Sequence, residues 1–85
     1  MDRHTVVTKA TSYMRKLARD RSTHIVTADD VQNFLNRNAY SNNVNERMSV
    51  VRSVLSEANQ FRIAGTTQST RQPARGRRIA AWTLV

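Results

Sequence analysis

The stretch Phe61–Val85, FRIAGTTQSTRQPARGRRIAAWTLV, decides how the chain is read. Phe61 and Ile63 alternate with polar neighbours. A second apolar run, Ile79 and Ala81 with Trp82 and Leu84 toward the other side, closes the chain. Period-two alternation is the mark of a strand with one buried face. Between the runs lies a polar loop holding Arg71, Arg75, Arg77 and Arg78, with Pro73, Gly65 and Gly76 among Ser and Thr. That is turn chemistry. The stretch has five Arg and no Asp or Glu, so its tip is cationic. It predicts a β-hairpin with strands at 61–64 and 78–84 and a loop at 65–77.

Upstream the period changes to that of a helix. Val6, Ala10, Met14 and Leu17, with Tyr13, form one stripe over 3–19, and Lys9, Ser12, Lys16 and Arg19 lie opposite. Residues 22–26, Ser-Thr-His-Ile-Val, are β-branched and short, which predicts a small strand at 23–26. Thr27 is a good N-cap with Asp30 three residues on, and a helix is expected over 28–37 with Ala28, Val31, Phe34 and Leu35 on its apolar face. Residues 38–43 are a turn by composition. Asn43, with Glu46 at the third position, opens a helix expected over 44–59. Its buried stripe is expected to be Val44, Met48, Val51, Leu55 and Ala58. At 100° per residue Asn45, Ser49, Arg52, Ser53 and Ser56 fall together on the far side, a small polar face.

Eighty-five residues make one domain, 1–85, of α+β class. The net charge is +8, and 12 of the 14 basic residues are Arg, whose fork suits phosphate. This balance points to an anionic partner. With no Cys, disulfides and cysteine-ligated zinc are excluded. No apolar run approaches the roughly 18 residues of a membrane span. Met1-Asp2-Arg3-His4 lacks the apolar core of a secretory signal, so an intracellular protein with no membrane partner is the expectation. His4 and His24 are far apart, and no glycine-rich phosphate loop or nucleophile elbow is present. No catalytic residue, metal site or cofactor is therefore expected.

The expected order α-β-α-α-β-β resembles the winged helix-turn-helix family of DNA-binding domains. The resemblance covers nearly the whole chain and rests on element order, lengths and the placement of polar faces. It implies that the strand at 23–26 joins the hairpin in a small antiparallel sheet packed with three helices. It further implies that the second and third helices form the helix-turn-helix and that the hairpin is the wing. On this resemblance Asn42, Asn43, Asn45, Ser49, Arg52 and Ser53 are assigned to base or groove contact. Arg71, Arg75, Arg77 and Arg78 are assigned to flanking phosphates or the minor groove. The implied function is double-stranded DNA binding by a small transcriptional regulator or DNA-architectural protein, a type common among viruses and mobile elements. Two other readings stand beside it. One is a protein-interaction module docking on an acidic transcription or replication factor; the other is binding of RNA or single-stranded DNA through the hairpin and Trp82. Trp82 is expected to pack with Phe61 or the first helix. Lys9, Arg15, Lys16, Arg19 and Arg21 are weighed equally as phosphate contacts and as solvated groups. A monomer, a homodimer through the first helix and assembly along DNA are all open.

Overall fold

Helix α1, Arg3–Asp20, begins where the Asp2 carboxylate accepts the Thr5 N–H at 2.7 Å. The structure is a computed structural model and describes residues 2–57, 59–69 and 76–85. The helix buries Val6, Ala10, Met14 and Ala18, with Tyr13 and Leu17 partly buried beside them. The chain leaves α1 at Arg21, whose fork grips the two Asp30 oxygens at 2.7 and 2.8 Å and also reaches the Ile25 carbonyl at 3.1 Å. That bidentate pairing ties the end of one helix to the start of the next and holds Arg21 more firmly protonated than usual. Arg21 is thus a structural clamp, and the phosphate role weighed for it is corrected.

The strand expected at 23–26 is reduced to one residue. His24 adopts a left-handed φ of 58°, which breaks the extended run, and its Nδ1 lies 2.9 Å from the Ala18 carbonyl at the end of α1. Val26 alone pairs, exchanging two 2.9 Å backbone hydrogen bonds with Trp82.

Helix α2, Ala28–Arg37, opens with the acidic half of a capping box, Asp30 accepting the Thr27 N–H at 2.8 Å. It buries Val31, Phe34 and Leu35 as expected, and also Asp29 and Gln32. It ends in a Schellman turn: Ala39 is left-handed (φ 48°), the Ala39 N–H reaches the Asn36 carbonyl and the Tyr40 N–H reaches that of Leu35. Tyr40 then folds back on the core.

The third helix departs from expectation in two ways. It is α-helical over Val44–Arg52 (α3) and continues as a π-helical turn, Ser53–Glu57. Ala58 lies outside the described residues. Its buried stripe is Val50, Val51, Val54 and Leu55, while Val44 is 71% and Met48 43% exposed. The stripe is turned by about 50° on a 100° wheel because the helix must serve α1 and α2 at once.

The strands are β1, Phe61–Gln68, and β2, Arg78–Leu84, antiparallel from Phe61↔Leu84 to Gln68↔Arg78. β1 runs four residues past its expected end at Ala64. A bulge at Ala64 shifts the register between Ile63 and Gly65, and the following Gly65 carries a φ of 149° that L side chains rarely adopt. The β-branched Thr66 and Thr67 then continue the ladder. The described residues therefore form an α+β domain of three α-helices and a two-stranded antiparallel sheet. Val26, Phe61 and the apolar faces of the helices close a single core.

Candidate nucleic-acid interface

Entry into α3 is built from short polar side chains. Asn43 Oδ1 accepts the Glu46 N–H at 3.0 Å, as an N-cap should. The Ser41 hydroxyl donates to the Glu46 carboxylate at 2.6 Å and accepts the Asn43 N–H at 3.0 Å. The side-chain oxygen of Asn43 is thereby occupied, whereas Asn42 is exposed in the turn.

Arg47 holds this entry in place. Its guanidinium donates to Gln32 Oε1 at 2.9 Å, to the Gln32 carbonyl at 3.1 Å, to the Ser41 carbonyl at 2.9 Å and to Asn36 Oδ1. One side chain so joins α2, the turn and α3. The sequence reading missed it because Arg47 falls outside the stripe expected to be buried and inside the arc that is buried, where a cation must find partners.

Of the residues expected on the polar face of this helix, Asn45, Arg52 and Ser56 are exposed. Ser49 and Ser53 are half-buried and face the start of α1, where Arg3 donates to Ser49 Oγ at 3.0 Å and to Ser53 Oγ. The Ser53 hydroxyl passes on to Glu57 at 3.0 Å. Arg3 is a second residue the sequence reading missed. It stands 46 positions from Ser49, and nothing in the periodicity links them. Met48 and Val44 complete the exposed arc that was expected to be buried.

The hairpin is anchored to the core through Phe61, Ala81 and Trp82, and the rest of β1 is open to solvent. From Arg62 to Gln68 every β1 residue is exposed, and so are Arg77 and Arg78. Arg78 donates to Thr66 Oγ1 at 2.8 Å across the strands. Ser69 and Arg77 continue the ladder by one bond, 2.7 Å from N to O. Near its tip the hairpin is tied to α2: the Ser69 hydroxyl, 2% exposed, meets the Asp29 carboxylate at 2.8 and 3.0 Å. Arg71 and Arg75 lie outside the described residues. Trp82 is half-buried against the core and bridged to Val26, so its ring is partly withdrawn from solvent.

Charge is distributed unevenly. Each of the six carboxylates is engaged within the chain: Asp2 with Thr5, Asp20 with Lys16, Asp29 with Ser69, Asp30 with Arg21, Glu46 with Ser41 and Glu57 with Ser53. Arg52, Arg62 and Arg77 project from α3 and the hairpin. Among the described residues no group of three or more His, Cys, Asp or Glu could hold a metal ion, and no helix is long and apolar enough to cross a membrane. Comparison with family models, with curated proteins and with solved structures finds no match to this chain.

Proposed function

We propose that this chain is a winged-helix domain that binds double-stranded DNA through α3 and the hairpin. The observation that carries the reading is α3 itself. Its buried Val50, Val51, Val54 and Leu55 oppose an open arc bearing Asn45 and Arg52, and Arg47 fixes its leading turn. An α-helix fits the major groove, and its first turns reach base edges there. Asn pairs bidentately with adenine and Arg with guanine.

The topology supports the same reading. Val26 pairs with the free side of β2, so the segment joins the hairpin as the family resemblance implies, with the third strand cut to one residue. Arg77 and Arg78 leave the hairpin as cations for flanking phosphates, and Arg3 adds one at the foot of α3. A net charge of +8 supplies long-range attraction to a polyanion.

Titration of a duplex by fluorescence anisotropy at stepped salt tests the proposal. Log affinity should fall linearly with log salt at about −0.9 per phosphate contact. A flat response, or equal affinity for single strands in competition, would reject it in favour of a protein partner or a single-strand binder. Selection from a random duplex pool then separates a sequence-specific regulator, which enriches a motif, from an architectural protein, which does not.

A further inference from the structure

We infer that α3 recognises thymine methyl groups through Val44 and Met48, so that the duplex it prefers contains A·T pairs. This inference rests on the duplex-binding reading and deepens it. Val44 opens the helix at 71% exposure and Met48, one turn on, is 43% exposed. Four residues apart, they lie one above the other on a single face. Asn45 and Arg52 border that face, and both are exposed. Around the helix the order is Val44, Met48, Arg52, Asn45, so an apolar pair and a hydrogen-bonding pair lie side by side rather than forming a continuous apolar face.

That mixed surface tells the possible occupants apart. A lipid surface or a partner's core would require an unbroken apolar face and would leave Asn45 and Arg52 buried without partners. The floor of the major groove is itself mixed: each A·T pair offers the N7 acceptor and N6 donor of adenine beside the C5 methyl of thymine. An asparagine beside a valine and a methionine matches one such pair, or two in succession. The methionine is held from behind, since Gln32 Nε2 lies 3.5 Å from its sulfur, while its terminal methyl can adapt to the groove. The charge of the whole chain favours the polyanion as the occupant.

The test uses the full chain with an alternating dA–dT duplex and the same duplex carrying deoxyuridine for thymidine. The exchange deletes the methyl groups and keeps the base pairing. Affinity should fall about fourfold for each methyl that the helix touches, the worth of one buried carbon. In the double variant Val44→Ala, Met48→Ala the same exchange should change affinity less than about twofold. Both positions are exposed, and unchanged thermal unfolding of the variant checks that it folds. Equal binding of the two duplexes by the native chain overturns the inference while leaving duplex binding intact. So does a deoxyuridine penalty that persists undiminished in the variant, because the methyl would then act through duplex shape. Absence of binding to any duplex overturns both the inference and the reading beneath it.

Discussion

Replacing Arg47 with Ala should destabilise the domain by about 2–4 kcal/mol. The magnitude follows from what each broken bond leaves behind. Gln32 is only 6% exposed, so its side-chain oxygen cannot turn to water when the guanidinium is removed. An orphaned buried acceptor costs about 1–3 kcal/mol. The Asn36 side chain and the Ser41 carbonyl lie nearer the surface and recover water, adding roughly 0.5 kcal/mol each. A domain of this size has on the order of 4–13 kcal/mol in total. The loss should lower Tm by at least about 8 °C, and the urea midpoint should drop with its slope unchanged. Lysine keeps the charge but offers a single ammonium in place of a fork, so Arg47→Lys should recover less than half of the loss. Arg47 is turned away from the open arc of α3. At temperatures where the Ala variant is folded, duplex affinity should therefore fall while the salt slope stays the same. Stability of Arg47→Ala within about 0.5 kcal/mol of the native chain, or full rescue by Lys, would refute the clamp.

Ser69→Ala removes the tie between hairpin and α2; it should cost about 1–3 kcal/mol in urea unfolding and speed hydrogen exchange at the Gly76 amide, which bonds the Ser69 carbonyl. Ala39→Gly relieves the left-handed turn after α2 and should raise stability by up to about 1 kcal/mol, read as a higher midpoint. Arg77→Ala with Arg78→Ala should weaken all duplexes alike and flatten the salt slope by about 0.9 for each phosphate no longer neutralised, whereas Asn45→Ala or Arg52→Ala should erode sequence preference by roughly 1–3 kcal/mol. The backbone hydrogen bond from Thr5 holds the Asp2 carboxyl below its ordinary 3.8. A lowered folded value means the cap is fully present above pH 3.8 and is lost as pH falls below it. Amide exchange in the first turn of α1 should rise there, and Asp2→Asn should abolish that pH dependence.

Legibility in the sequence followed the range of the interactions. Local signals were sufficient for α1, for both ends of α2 and for the Asn43 cap, because capping and periodicity act within four residues. The strand at 23–26 failed because a left-handed His24, set by the end of α1, overrides the β-branched composition. The faces of α3 failed because two helices pack on it from different sides, and a wheel drawn for one partner cannot reveal the second. β1 extends beyond its expected end because Gly65 looks like the start of a turn but instead absorbs a bulge. Of the candidate site, Asn45 and Arg52 fall on the open face from periodicity alone. Arg3 and the pairing of Asp29 with Ser69 were beyond reach, since their partners lie some forty or more residues away. Arg47 was missed with the faces of α3, since it enters the buried arc only when that arc turns toward Val50 and Val54.

The outer edge of β1 has a consequence for handling the protein. Among the described residues β1 pairs only with β2, so a row of backbone donors and acceptors faces water. Such an edge is a template for a second copy, blunted here by the bulge at Ala64 and by exposed Arg62. The remaining safeguard is mutual repulsion between chains of charge +8. Its reach shrinks from about 10 Å at 0.1 M salt to about 3 Å at 1 M. Washing with concentrated salt, the ordinary means of stripping a polyanion from a basic protein, therefore removes the repulsion that keeps these edges apart, and colloidal stability is best preserved by dilution and prompt return to low salt.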